Sequence, residues 1–275
     1  MLLASKISTY CRDVGEAALA GKYVSPKSRD LGIERIKAQA ALDSLHESKI
    51  ASGAVSVGRK LIRLGYETDC SYEKTGFGYL YSHSTQFSDG SLISAKAPRG
   101  KRTFLLPQLV LHFTGEFSPA VSCEQFSQMF DEISVGFEVT SLPFKNNDYE
   151  LTDVMCGNGF GHQNLVGVTK SLSRASRTNF SELLSGASFS VSCSNALGSE
   201  IKGVAFGARL QYASIESLHQ YLVDFYKEQE RVGLDPGDYI ALPLPCKPLP
   251  FVADDEWICV STGLQIGELR LKFKK

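Results

Sequence analysis

In the second half of this chain, strand-like segments follow one another without a helix after each. They are Ser188–Ser192, Ile201–Phe206, Tyr239–Leu242, Trp257–Val260 and Glu268–Phe273, separated by Gly, Ser, Asn and Asp. A doubly wound parallel sheet needs a crossover helix between successive strands, so this order favours an α+β architecture with a curved mixed sheet. Upstream, Thr103–Phe113 is a buried-looking apolar run with Phe104, Leu105, Leu106, Leu109, Val110 and Leu111, and Ile133–Val139 alternates in part. Both are expected to be strands.

Helical periodicity is concentrated elsewhere. From Leu2 to about Ala20, Ile7, Val14 and Ala18 share one side. From Gly32 to about Lys49, Ile33, Ile36, Ala40 and Leu45 recur at helical spacing. From Ser214 to Arg231, Ile215, Leu218, Leu222 and Phe225 form a stripe that stops before Gly233 and the turn Asp235-Pro236-Gly237-Asp238. A shorter helix is expected from Cys123 to Glu132. No Pro- or Gly-rich linker divides the chain. Residues 1–275 therefore read as a single domain, with 1–60 a helical cap and 61–275 a sheet-rich body.

Charge gives little reason to expect a polyanionic partner. Lys and Arg (29) nearly cancel Asp and Glu (30), so neither nucleic acid nor an anionic membrane is expected as the main partner. No apolar run approaches the roughly 20 residues of a membrane-spanning helix. The start, Met1-Leu2-Leu3-Ala4-Ser5-Lys6, is too short in apolar residues and lacks the basic region of a secretory signal. The cysteines (Cys11, Cys70, Cys123, Cys156, Cys193, Cys246, Cys259) are odd in number, widely spread and without C-x-x-C. They are expected to be reduced thiols in a cytoplasmic protein.

The glycine cluster Gly157-Asn158-Gly159-Phe160-Gly161-His162 lacks the spacing and the following helix of a dinucleotide fingerprint. It reads as a tight loop where backbone comes close to something, as does Thr75-Gly76-Phe77-Gly78-Tyr79-Leu80. There is no G-x-S-x-G, G-x-x-x-x-G-K-[ST] or H-E-x-x-H. Of the histidines, His112 reads as a core residue inside an apolar strand, and His46 and His219 as surface residues of helices. His162, just after the glycine loop, is the better candidate for chemistry. Asn179-Phe180-Ser181 matches a glycosylation acceptor by chance composition. Lys60, in Val57-Gly58-Arg59-Lys60-Leu61-Ile62, and Glu138, in Val135-Gly136-Phe137-Glu138-Val139, are charges inside apolar runs. A buried charge needs a partner or a metal.

Taken in order, these pieces resemble the 2-keto-4-pentenoate hydratase and 4-oxalocrotonate decarboxylase family, within the fumarylacetoacetate hydrolase superfamily. The pieces are Ile33–Lys49, Val57-Gly58-Arg59-Lys60, Phe77-Gly78-Tyr79-Leu80, the strand near Pro107, and Phe137-Glu138-Val139. Leu151-Thr152-Asp153, Asn158, Gly167, the helix 214–231 and Gly233-Leu234-Asp235-Pro236-Gly237-Asp238 follow. The resemblance implies a curved sheet and a keto or enol substrate chelated by Mg²⁺ or Mn²⁺. It also implies three carboxylate ligands: two from an E-P-E pattern on one strand and one from a later strand. Homo-oligomers, and association with a related enzyme, are implied too.

The sequence departs from that pattern. The strand reads Leu105-Leu106-Pro107-Gln108-Leu109-Val110-Leu111-His112-Phe113, and both glutamates are absent, whether they fall on Pro107 and Leu109 or on Val110 and His112. Glu138 and Lys60 remain. The aspartate of the family's P-D-F-G stretch becomes Gly76, and that of its D-N pair becomes Gly157, beside Asn158. One carboxylate and one lysine make a poor Mg²⁺ site, so no metal cofactor is expected. Lys60, Glu138 and His162 are the expected catalytic residues of a metal-independent lyase or cyclase. Tyr79, Tyr81, Cys156, Asn158 and Phe160 are expected to meet the substrate. Two alternatives stand beside this: a non-catalytic paralogue that binds a ligand or supports an active partner, and a metal enzyme with ligands from elsewhere (His112, Glu116).

Overall fold

The computed structural model describes residues 2–63, 74–98, 102–194, 202–206, 215–230, 233–244 and 246–274. Cys70 and the expected element ends Ile201, Ser214 and Arg231 lie outside them. The chain opens with helices α1 (Leu2–Ala20) and α2 (Arg35–Ala51), then strands β1 (Ser56–Arg63), β2 (Thr75–Tyr81), β3 (Thr85–Phe87), β4 (Ile93–Lys96) and β5 (Thr103–Phe113). Next come α3 (Cys123–Ser127), β6 (Phe130–Ser141), α4 (Leu151–Cys156), β7 (Gly161–Val166), β8 (Lys170–Ser171), α5 (Arg174–Thr178) and α6 (Phe180–Ser185). The last described elements are β9 (Ser188–Ser194), β10 (Lys202–Phe206), α7 (Ile215–Gln229), β11 (Tyr239–Pro243), β12 (Leu249–Pro250), β13 (Glu256–Thr262) and β14 (Leu269–Lys274).

The strands form two sheets. The first runs β2-β1-β11-β5-β6-β7-β3, with β12 on β5 and β8 on β6; it mixes parallel pairs (β1 with β11, β3 with β7) with antiparallel ones. The second runs β10-β9-β13-β14-β4. This is the α+β, curved mixed-sheet architecture expected from the sequence. The large core gathers residues from both sheets and from α7, whose buried stripe is Ile215, Leu218, Tyr221, Leu222 and Phe225. Strand β5 lacks a period of two because both its faces are covered. Leu105, Leu109 and Leu111 enter the large core, while Leu106, Gln108 and Val110 face the inside of the curl. In β9 and β14 every second residue is buried, the pattern of a sheet packed on one side.

Several local expectations change. Helix α2 starts at Arg35 rather than Gly32, which has φ +58° and so stands in a turn. Strand β1 begins at Ser56, inside the segment assigned to the cap. Helix α3 ends at Ser127, and Phe130 already belongs to β6. Its start is fixed by a capping box of Ser122 and Gln125. The glycine-containing segment Thr75–Leu80 is a strand, not a loop. Gly76 and Gly78 are there because Met155, Asn158 and Ile62 come too close for any Cβ. His112 is not a core residue; it is part-exposed and pairs with Asp131 at 2.6 Å. His46 and His219 are half-buried rather than surface. His46 stacks on Tyr79, and His219 lies 2.8 Å from the Val121 carbonyl oxygen. The described cysteines are free thiols. Among the described residues, no helix is long and apolar enough to cross a membrane.

Candidate functional site

Alternation along β1 sends its two central cations to opposite faces. Arg59 points outward, toward α2. Its guanidinium lies 4.1 Å from the Phe77 ring and 3.9 Å from the Tyr79 ring, and donates to the carbonyls of Phe77, Gly78 and Gly233. Lys60 points inward. Two strands separate β1 from β6 in the sheet, so Lys60 crosses the inside of the curl to reach Glu138. Lys60 Nζ donates to Glu138 Oε1, and Gln108 Nε2 donates to Glu138 Oε2 at 3.2 Å. Both charged side chains are buried, at 1% and 5% exposure.

The glycine cluster closes over this pair. Asn158, Gly159 and Phe160 all have positive φ (50°, 71° and 58°), a left-handed turn that the non-glycine residues adopt only under constraint. A Cβ at Gly161 would overlap Glu138 Oε1 and sit 2.7 Å from Lys60 Nζ; one at Gly159 would sit 3.3 Å from that nitrogen. The close backbone approach expected from these glycines is therefore an approach to the Lys60–Glu138 pair. Asn158 holds the turn in place. Its Oδ1 accepts from the Tyr79 N–H at 2.8 Å and its Nδ2 donates to the Tyr79 carbonyl at 3.0 Å.

Beside the pair lies a cavity of about 370 Å³. Leu106, Leu142, Val154, Phe160 and Leu244 are part of its apolar wall, and Glu138 is the carboxylate among its described lining residues. Arg63, Arg102, Thr140, Asn147 and Tyr149 supply the rest of its polar lining. Arg102 is fixed there by donating to the Phe144 carbonyl at 2.8 Å and to Asn147 Oδ1 at 2.6 Å. Sequence reasoning missed Leu106, Gln108, Arg63 and Arg102. Gln108 carried a usable signal, as a polar residue inside an apolar run.

The other expected site residues separate. Phe160 is on the cavity wall. Tyr79 and Tyr81 are on the outer face of β2. Tyr79 lines a different cavity of about 560 Å³ with His46, Arg59, Asp43 and Asp238, and Tyr81 OH bonds His46 Nδ1 at 3.1 Å. Cys156 is buried against Cys11, whose hydrogen bond, together with burial, pushes the Cys156 thiol well above its ordinary range. It is a poor nucleophile. His162 is not among the cavity's lining residues; its Nε2 lies 2.9 Å from the carbonyl oxygen of Ala18 in α1.

Burial holds both His162 and His46 below the ordinary imidazole range, and Arg59 adds to the effect at His46. The sign follows directly: each is favoured neutral when folded, so the unfolded chain binds more protons in this window. Stability is complete above an unfolded pKa of about 6.5 and is lost as pH falls through the lower folded values. The urea midpoint is expected to drop between about pH 7.5 and 5.5, and His162→Gln to flatten that drop. A variant that keeps the full slope would refute the assignment to His162.

The three-carboxylate cage implied by the resemblance can be tested on the register. Leu106 is paired directly with Glu138, and Gln108 with Gly136, so Leu106 and Gln108 flank Glu138 on one face. Neither pair named from sequence lies on that face beside Glu138. Leu109 faces the large core, and Val110 and His112 pair further along, with Ser134 and Glu132. If the E-P-E pattern implied by the resemblance supplies the face that meets Glu138, it falls on Leu106-Pro107-Gln108. That face offers a leucine and an amide beside one carboxylate, which Lys60 already bonds. These residues do not fit Mg²⁺ or Mn²⁺, which take oxygen ligands and compensating negative charge. Among the described residues no cluster of three His, Cys, Asp or Glu side chains is arranged to hold a metal. At the two positions where the resemblance implied aspartates, Met155 fills the space a side chain at 76 would need, and Phe160 the space at 157.

No protein-family model and no curated protein matches the chain. Solved structures do. The 4-oxalocrotonate decarboxylase from Pseudomonas putida G7, complexed with magnesium and adipate, superposes with a TM-score of 0.78 at 14% identity, covering 98% of this chain and 97% of that one. Fumarylpyruvate hydrolase from Pseudomonas aeruginosa, in complex with Mn²⁺ and pyruvate, gives 0.55 at 14% identity, covering 80% and 96%. A yeast fumarylacetoacetate hydrolase family protein gives 0.53 at 13% identity, covering 82% and 94%. Over nearly its whole length this chain has the fold of 4-oxalocrotonate decarboxylase, and over about four fifths of it that of the fumarylacetoacetate hydrolase proteins.

Proposed function

We propose that the protein is an enzyme of keto–enol chemistry, lyase or cyclase in class, whose first step takes a proton from a keto or enol small molecule, using Glu138 and Lys60 and no divalent cation. One observation carries this reading: a cavity of about 370 Å³, with one apolar wall and one polar wall, opens on a carboxylate backed by a buried ammonium. That volume lies within the usual range for small-molecule sites, roughly 300–1,000 Å³. Glu138 takes a proton from the carbon next to the keto group. The C–H bond breaks, an O–H bond forms on Glu138, and the electron pair moves onto the substrate oxygen. Glu138 becomes neutral at that moment, and the enolate replaces it as the anion near Lys60. The positive charge is in place beforehand, so stabilising the enolate requires little reorganisation. The apolar wall suits a substrate with a hydrocarbon body, and Arg63 suits a polar or anionic end.

The burial of Lys60 beneath Gly159 and Gly161 favours a second reading, a paralogue that binds a ligand without turnover and keeps the ion pair as a structural element. Hydrogen–deuterium exchange separates the two. 2-Oxobutyrate, 2-oxopentanoate and phenylpyruvate are incubated with the protein in D₂O and followed by proton NMR. Catalysed loss of the C3 proton signal is expected, unchanged by EDTA and slowed about 100-fold or more in Glu138→Gln. No exchange with any of the three would transfer the case to the second reading.

A further inference from the structure

We propose that the Lys60 ammonium is the resident cation of this site, and that the side chains at 106 and 108 decide between it and a divalent metal ion. This deepens the metal-free part of the reading above, and its test needs no substrate. The geometry is local. Leu106 stands directly across from Glu138, and Gln108 is two residues along on the same face of the same strand. Carboxylates at those positions would put three negative charges on one patch, which is what a hard divalent cation requires. Here the patch carries one negative charge, from Glu138, and Lys60 neutralises it.

A metal ion arriving at this patch meets three obstacles. Lys60 repels it and already bonds Glu138 Oε1. Gln108 turns its amide donor, not its oxygen, toward Glu138 Oε2. Leu106 offers methyl groups where a ligand oxygen is needed, and Mg²⁺ in particular gives up water reluctantly. Lys60 itself is held in register by β2 and β11 on either side of β1 and covered by the glycine turn. The positive charge is thus tethered to the chain, and chelation cannot remove it.

Isothermal titration with MnCl₂ and thermal unfolding with and without Mn²⁺ test this on the full chain. The wild type is expected to bind no Mn²⁺ up to about 1 mM and to unfold at the same temperature with or without it. Leu106→Glu/Gln108→Glu is expected to bind one Mn²⁺ with a Kd below about 100 µM, and Mn²⁺ is expected to raise its unfolding temperature. One-to-one Mn²⁺ binding by the wild type at similar affinity would overturn the proposal. So would a folded double variant that binds none. If the double variant does not fold, Gln108→Glu, which keeps the side-chain shape, takes its place. It is expected to bind Mn²⁺ about tenfold or more tightly than the wild type, and equal affinity would overturn the proposal. None of these outcomes depends on turnover, so the enzymatic reading can fail while this one stands.

Discussion

Lys60→Met is expected to remove about 3–5 kcal/mol of stability, the usual consequence of breaking a buried ion pair from one side. Met follows the path of the lysine stem, so the loss comes from charge rather than from volume. Glu138 would keep one described donor, Gln108, in a place where its side chain is 5% exposed. A carboxylate left in such surroundings has lost its hydration without recovering it elsewhere. The companion variant Lys60→Met/Glu138→Leu removes both charges and should regain all but about 1–2 kcal/mol, since apolar replacements of buried pairs are often close to neutral. Urea unfolding with an unchanged m-value measures both. A loss below about 1 kcal/mol in the single variant would mean that cavity water solvates Glu138. The electrostatic argument for the site would then fall.

Asp153→Ala is expected to have an effect of similar size, about 3–5 kcal/mol, at a place with no direct part in the chemistry. Asp153 is buried and collects donors from three separated segments. Tyr10 OH lies at 2.5 Å, Ser28 Oγ at 2.7 Å, the Ser28 N–H at 3.0 Å, the Lys27 N–H at 3.3 Å and the Glu150 N–H at 2.9 Å. Burial and the bond to Asp153 push the Tyr10 phenol well above its usual range, so it stays a donor. Truncation leaves several buried donors unmet at once, and each carries its own desolvation penalty. The damage should be regional. Amide exchange in α1 and around Ser28 is expected to quicken, while β5 and β6 keep their protection. Uniform acceleration across the chain would show that the cap and the sheet unfold as one unit.

Much of the fold was legible because its signals are local and repeated. The stripe of α7 and the alternation of β9 and β14 each bury one side, and a one-sided element declares its period. Strand β5 hid its register for the opposite reason. Leu105 and Leu109 on one face and Leu106 and Val110 on the other are all apolar, so no period of two marks which residues meet Glu138. Only the pairing with β6 shows which residues those are. The glycines of β2 imitated a loop because their cause lies far along the chain, at Met155 and Asn158. Of the candidate site, Lys60 and Glu138 stood out as charges in apolar runs. Their mutual contact depends on the curl of the sheet, which no local pattern encodes. His162 was read as a site residue from its proximity in sequence to the glycine turn, and its ring lies against the end of α1, outside the described cavity lining.

Arg59 and Lys60 are neighbours in sequence, yet they serve compartments on opposite sides of one strand. Consider β1 pairing one residue out of step with β2 and β11. A forked guanidinium would be driven into the space shaped for a slender amine, beside Glu138. The amine would arrive between two aromatic rings and three carbonyls spaced for a fork. Each error would strand ions in the wrong lining, so the misaligned sheet penalises itself twice over. Consecutive cations of unequal shape thus act as a two-pin key, one that admits this strand in a single alignment where greasy side chains alone would have tolerated two.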